Sequence, residues 1–359
     1  MSAAPVLIAA GGTGGHVFPA LAVAEALNAT AVPVVWLGTR AGLEARAVPA
    51  AGIEIEWLSV GGLRGKGWRT RLAAPLVLAR ACWQALRVLR RRRPRALLGM
   101  GGFVSGPGGL MARLAGCPLV VHEQNAVAGL TNRVLARFAA RVLEAVPGTF
   151  PTALGARHTG NPVRAAIAAI APPEERFAGR TGAPRLLVLG GSQGARALNE
   201  RLPRALARLP AGTRPEVRHQ CGPRHLETAR AAYAQAGVAA EVEPFIDDMA
   251  AAYAWADLVV GRAGAMSVAE LAAAGVGALL VPFPHAVDDH QTRNARWLVE
   301  AGAAVVVQEH ELDEVRLARE LADVLGDRAA LVERARRARA LARPDAARAV
   351  AQAVLEVAR

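Results

Sequence analysis

His16 closes the segment Gly-Gly-Thr-Gly-Gly-His, which joins an apolar run (Val6 to Ala10) to a stretch of helical spacing. An imidazole with an ordinary pKa of about 6.5 can accept a proton from an attacking hydroxyl near neutral pH, and a histidine at a strand-to-helix junction is placed to do so. The same position also suits a helix cap. Three more glycine-rich turns follow: Gly99 to Gly109, Gly190 to Ala195, and Gly261 to Glu270. Glycine lets backbone amides approach a phosphate closely, and the positive end of the following helix favours an anion. A tight strand-to-helix turn explains any one of them. Four together point to a phosphorylated ligand.

Polar side chains gather at the same kind of place. "HEQN" (His122 to Asn125) follows an apolar run, as does "HAVDDHQTRNA" (His285 to Ala295). Glu270 falls six residues past Gly264, where a carboxylate on a helix can accept two ribose hydroxyls or simply face solvent. No second ligand cluster supports a metal at His285 to His290. A dinucleotide fingerprint is disfavoured, because Gly12-x-Gly14 is followed by Val17 and "VVWLGTR" supplies no acid. "GLRGKGW" lacks the Ser or Thr that should follow a P-loop lysine, and no strand leads into it.

The elements that must position these residues are legible as alternation. Short apolar runs ("PVLIAA", "VPVVWLG", "ALLGM", "PLVVHE", "RLLVLGG", "ADLVVGR", "ALLVPFP") alternate with Ala-rich helical stretches, the pattern of buried parallel strands and crossover helices. This predicts an α/β fold with doubly wound parallel sheets. "VLIAAGGTGGH" and "RLLVLGGSQGA" each read as strand, glycine turn and helix, so the 359 residues divide into two domains, 1–160 and 161–343. The segment 344–359 reads as a helix expected to pack back on the first domain.

The formal net charge of +13 is unevenly spread: 19 Lys and Arg face 6 Asp and Glu through Arg164, and 24 face 24 beyond it. A basic first half suits a phosphate-rich ligand, nucleic acid or anionic lipid, or reflects solubility in an Arg-rich chain. Arg64, Lys66 and Trp68 form a basic, aromatic loop. Leu72, Leu76, Ala79, Trp83 and Leu86 then share one helical face, beside Arg69, Arg80, Arg87 and the run Arg90 to Arg93. Such a surface can dock on anionic headgroups, although core packing accounts for most of the leucines and leaves the loop and the Arg run as the stronger signal. Cys82, Cys117 and Cys221 lack metal-ligand spacing and read as reduced thiols. No spanning segment or signal peptide is evident, which predicts a soluble or membrane-surface protein.

Taken together, "GGTGGHVFPALAVAEAL", "GLRGKG", "GMGGFVSGPGG", "HEQNAVAGLTNR", "GNPVR", "GGSQGA", "FIDDMAAAYAWAD" and "HQTRNA" resemble, in order and across nearly the whole chain, the bacterial N-acetylglucosaminyltransferases that convert lipid I to lipid II in peptidoglycan synthesis. The resemblance implies a GT-B architecture, two Rossmann-like domains facing a deep cleft. It implies UDP-N-acetylglucosamine as donor and lipid I as acceptor, inversion at the anomeric carbon, and action at the cytoplasmic face of the plasma membrane on an anionic phospholipid surface. It implies no cofactor, no metal and no nucleic acid, and leaves other cell-wall synthesis and division proteins open as partners. By motif match, Thr13, Gly14, Gly15 and Asn125 line the site from the first domain, with His16 as general base. From the hinge and second domain come Arg164, Ser192, the Ile246 backbone at the uracil, Ala265, Met266, Ser267, Val268, Ala269, Glu270 at the ribose, Gln291 at the sugar, and Asn294. Where the family often has Ser-Gly-Ala-Leu-Thr, this chain has Ala263-Gly264-Ala265-Met266-Ser267, which keeps a hydroxyl and apolar bulk.

Overall fold

A computed structural model describes residues 4–61, 68–191 and 194–358, with the side chains of 68–73 and 287 excepted. The chain forms two units. One comprises residues through Arg164 together with Arg343–Arg359, and the other is Ala165–Ala342. Asn161 to Arg164, expected with the second domain, thus belong to the first unit.

The first unit holds strands β1 (Val6–Ala9), β2 (Val34–Gly38), β3 (Glu54–Trp57), β4 (Ala96–Gly99), β5 (Leu119–Glu123), β6 (Arg141–Glu144) and β7 (Arg157–His158). They form one parallel sheet in the order β3-β2-β1-β4-β5-β6-β7. Its helices are α1 (Gly14–Asn28), α2 (Glu44–Ala50), α3 (Trp68–Arg92), α4 (Ser105–Leu114) and α5 (Leu130–Ala136). The second unit contains β8 (Arg185–Leu189), β9 (Glu216–Gln220), β10 (Glu241–Glu243), β11 (Leu258–Gly261), β12 (Gly277–Leu280) and β13 (Ala304–Val306), parallel in the order β10-β9-β8-β11-β12-β13. Its helices are α6 (Ala165–Ala168), α7 (Pro173–Phe177), α8 (Arg196–Ala207), α9 (Leu226–Ala236), α10 (Met249–Trp255), α11 (Ala265–Ala274), α12 (His290–Glu300), α13 (Glu314–Leu325) and α14 (Arg328–Ala340), while α15 (Ala346–Val357) returns to the first unit.

Alternation along β1 builds two cores. Val6 and Ile8 pack with residues of α1 and α15 on one face, whereas Leu7 and Ala9 pack with residues of α3, α4 and α5 on the other. Val350, Ala353 and Val354 of α15 are fully buried there. The two chain segments that cross between units are packed together at Gly160. Its φ is +77°, and a Cβ at that position would lie 2.4 Å from Arg343 Cβ. Only glycine fits there.

Each sheet reverses its strand order once beside its first strand, at β1/β4 and at β8/β11. Loops leaving the carboxyl ends of these strands diverge, which makes such a reversal the ligand crevice of an open α/β sheet. All four glycine-rich turns leave these four strands.

Candidate active site

In the first unit the turns after β1 and β4 touch backbone to backbone. A Cβ on Gly102 would fall 2.2 Å from the Gly11 carbonyl oxygen, and both Gly101 and Gly102 have positive φ. The Ser105 hydroxyl, fully buried, lies 2.7 Å from the Ala9 and Gly101 carbonyl oxygens and pins the second turn to the end of β1. His16 occupies the third position of α1, half-buried, with its ring over Gly101. Thr13 is the extended N-cap of α1, makes no side-chain cap bond, and no acid occupies the first turn. Gly14 and Gly15 begin the helix, and no acidic side chain of its own first turn offsets its positive end.

Beneath this turn sits Glu44, fully buried at the start of α2. It accepts hydrogen bonds from the Gly12 amide (2.9 Å), the Thr39 amide (3.0 Å) and the Thr39 hydroxyl (2.7 Å). Gly11 and Gly42 leave room for its carboxylate, since Cβ atoms there would lie 2.6 and 2.0 Å from it. The Gly12 amide therefore serves the loop's own structure rather than a ligand phosphate.

At the end of β5, Glu123 accepts from the Asn125 amide and side chain (both 3.0 Å), the Gly129 amide (3.0 Å) and Asn132 Nδ2 (2.9 Å). Asn125 is thereby fixed at the loop tip. His122 is buried; its Nε2 lies 3.0 Å from the Gly160 carbonyl, and Gln124 Nε2 approaches Nδ1 at 3.2 Å. These contacts suit a neutral ring donating from Nε2, and burial pushes its pKa down to about 4. At the end of β6, Glu144 accepts the Gly148 (3.0 Å) and Phe150 (3.1 Å) amides. Arg164 ends the segment of the first unit that precedes the second, 5.8 Å from the Phe18 ring.

In the second unit, Ala265 to Glu270 form the first turns of α11, entered through the extended Gly264 and free of acid in its first turn. Met266 and Ser267 are half-buried, as are Ala265 and Ala269, and Val268 is buried. Glu270 is 8 % exposed and accepts from the Tyr253 hydroxyl at 3.2 Å. Ile246 is buried just before α10. Arg262 donates to the Val281 (3.1 Å) and Pro282 (3.2 Å) carbonyls and pairs with Glu309, tying the turn after β11 to the end of β12. Gln291 Oε1 accepts the Phe283 amide at 2.9 Å. Asn294, at the buried inner side of α12, donates to the Ala263 carbonyl at 3.2 Å, so it shapes the turn before α11. Asp288 and Asp289, which lead into α12, both have φ above +50°. Two successive non-glycine residues in the left-handed region mark a backbone held in place by its surroundings.

The family models for the N-terminal and C-terminal domains of glycosyltransferase family 28 match residues 6–144 and 185–350. The UDP-N-acetylglucosamine–N-acetylmuramyl-(pentapeptide) pyrophosphoryl-undecaprenol N-acetylglucosamine transferase of Alkalilimnicola ehrlichii is 62 % identical over 355 residues, 99 % of each chain. The chain belongs to glycosyltransferase family 28. MurG of Acinetobacter baumannii, a solved structure, is 41 % identical with a TM-score of 0.85, covering 99 % of this chain and 100 % of that one. The glycotransferase of kitacinnamycin, 18 % identical at a TM-score of 0.72 and covering 99 % of each chain, shares the fold alone. The two parallel-sheet units are those of a GT-B glycosyltransferase.

Within this family 28 enzyme the structure gathers the expected residues by unit. Thr13 and Asn125 lie on loops, and Gly14, Gly15 and His16 at the start of α1, at the carboxyl edge of the first sheet, and Ala265 to Glu270 in the first turns of α11 at the corresponding edge of the second. Arg164, expected with the second domain, belongs to the first unit. Ser192, Arg64 and Lys66 lie outside the described residues, as do the side chains of Trp68 and Leu72.

Glu44 and Glu144 carried no motif signal in the sequence, and Glu123 stood out only as part of the polar run His122 to Asn125. Half of the acids before Arg164 are thus buried loop anchors, and their signal was scarcity: only 6 stand there among 19 basic residues. Two readings of α3 need correction. Leu76 and Trp83 are 76 % and 56 % exposed, so these two members of the stripe are not core, whereas Leu86 packs against the core. Arg91 and Arg92 pair with Glu54 and Glu56 of β3, so half of the Arg90–Arg93 run is neutralised locally.

Proposed function

We infer that this enzyme transfers N-acetylglucosamine from UDP-N-acetylglucosamine to the 4-hydroxyl of the N-acetylmuramyl unit of lipid I, giving lipid II. The observation that carries this is the 62 % identity, over 99 % of both chains, to a transferase whose name states that activity. The four glycine-rich turns at the two strand-order reversals support it, because donor and acceptor each carry a diphosphate.

His16 takes the proton of the acceptor hydroxyl as its oxygen attacks the anomeric carbon. The bond from that carbon to the UDP oxygen breaks on the opposite face, which inverts the configuration, and UDP leaves with the electron pair. Charge grows on the departing diphosphate, so the backbone amides and helix N-termini of the second unit stabilise the transition state more than the bound donor. Glu270 holds the ribose, the Ile246 backbone the uracil, and Gln291 the sugar. Thr13, Gly14, Gly15, Asn125 and Arg164 serve the acceptor side, and Ser192 the donor phosphates.

The first unit is the membrane-facing one in this reading. Leu76 and Trp83 on α3, Leu110 and Leu114 on α4, and Leu130 and Val134 on α5 are exposed at helical spacings, with Arg80, Arg87, Arg113 and Arg133 exposed on the same three helices and Arg137 exposed at the C-cap of α5. Helices α3 and α4 pack together, as do α4 and α5. An apolar surface with basic neighbours suits an anionic bilayer, each charge near the surface adding about 1 kcal/mol. Among the described residues no helix is long and apolar enough to cross a membrane. Contacts with other cell-wall synthesis and division proteins would extend this placement.

The test is UDP release from UDP-N-acetylglucosamine with a lipid I analogue, against reactions lacking the analogue or supplied with UDP-glucose. Acceptor-dependent release selective for the N-acetyl sugar is expected. Equal release without the analogue would overturn the acceptor assignment.

A further inference from the structure

Glu270 is braced from a neighbouring helix. Tyr253 of α10, 1 % exposed, donates its phenol hydrogen to Glu270 Oε2 at 3.2 Å. The two helices are themselves tied at their C-terminal ends by Arg176, which is nearly buried. Its guanidinium donates to the carbonyls of Tyr253 (3.4 Å) and Ala256 (3.4 Å) on one side, and of Ala274 (3.1 Å) and Gly275 on the other. A cation among C-terminal carbonyls complements both helix dipoles and fixes the separation of α10 from α11. The reaction steps above make no use of Tyr253.

We propose that Tyr253 is a positioning residue that makes Glu270 a reader of sugar hydroxyls, and that this pair sets the preference of the site for a ribonucleotide over a deoxyribonucleotide. The proposal rests on Glu270 being the ribose-binding carboxylate. A glutamate on a helix has three rotatable bonds, and ordering it on binding costs side-chain entropy. A phenol locked by packing holds the carboxylate in one orientation beforehand. It is also a neutral donor, so it orders the carboxylate without setting a second charge beside it.

The experiment is calorimetric titration of the full chain with UDP and with 2′-deoxy-UDP, for the parent, Tyr253→Phe and Glu270→Ala. Phenylalanine keeps the ring and its packing, so only the hydroxyl is lost. The preference for UDP should fall about three- to tenfold in Tyr253→Phe, with 2′-deoxy-UDP affinity held within about twofold. A purely structural role would weaken both nucleotides alike and overturn the proposal. An unchanged preference in Tyr253→Phe, beside a collapsed one in Glu270→Ala, would overturn it while leaving the ribose assignment standing. An unchanged preference in Glu270→Ala would remove the ribose assignment, and the proposal with it.

Discussion

The ring of His16 occupies the space a side chain on Gly101 would need: a Cβ there would lie 2.6 Å from His16 Cδ2 and 2.8 Å from Nε2. The turn after β4 is therefore the seat of the proposed base. Gly101→Ala should displace the ring and lower turnover at least about tenfold, since small misplacements of a catalytic group are costly. UDP binding, assigned above to the second unit, should stay within about twofold. Steady-state kinetics with a lipid I analogue, beside nucleotide titration, checks both, and His16→Ala sets the floor for comparison. Normal turnover in either variant would remove His16 from the base role.

Glu44 should prove structural for the first turn. Glu44→Gln retains the shape but sets an amide NH2 group among donors that now meet a carboxylate. A loss of about 1 to 3 kcal/mol is expected, with a fall of several degrees in the thermal midpoint of the first unit. Calorimetry should show the transition of the second unit unmoved. A single, unshifted profile would contradict the role assigned to this carboxylate.

Gln291 offers a test of sugar recognition. Its Oε1 is committed to the Phe283 amide, so Nε2 is the group left to donate. Gln291→Glu keeps an acceptor for Phe283 but removes that donor. The KM for UDP-N-acetylglucosamine should rise about tenfold while UDP itself binds as before, since UDP carries no sugar to lose.

Acid should destabilise both units. Burial pushes His122 down to about 4 and His219 down to about 3, so each stays neutral in the folded chain where the unfolded chain takes up a proton. Stability is then full above about pH 6.5 and falls as pH drops from there toward 4, where His122 protonates in place. His122 alone would account for a loss of about 3 kcal/mol at the lower end of that window. Urea midpoints at pH 7.5, 6 and 5 should decline, and His122→Asn should flatten the decline in the first unit. Midpoints level across that range would show that these rings are not held neutral.

Membrane attachment can be separated from chemistry. Leu76→Glu and Trp83→Glu should weaken sedimentation with vesicles containing anionic lipid by about tenfold, because each replaces an exposed apolar group with a like charge to the bilayer. Turnover of a water-soluble acceptor analogue should be unaffected. Vesicle binding that survives both changes would place the docking face elsewhere.

Much of this was legible where a residue type answers a local demand. Gly101, Gly102, Gly191 and Gly194 have positive φ, a local need that glycine meets, and so the turns stood out in the sequence. Apolar runs disclosed the strands because parallel strands are buried on both faces. Roles that depend on distant partners were not legible. Glu44 matters through Gly12, 32 residues away, and Tyr253 through Glu270, 17 away. The spacing of Leu76 and Trp83 gave one helical face without saying what covers it. Arg91 and Arg92 looked like free charge until β3 brought Glu54 and Glu56 beside them.

The return of α15 to the first unit has a consequence for how the protein is born. Domains emerging from a ribosome ordinarily mature in the order they are made. Here Ala165–Ala342 is one uninterrupted segment, able to close its core as soon as α14 has left the exit tunnel. The earlier-made half must wait, because Val350, Ala353 and Val354 fill a core that its own first helices cannot complete. The nascent basic half is therefore the later one to mature, and a stop codon near residue 343 would damage the half synthesised first.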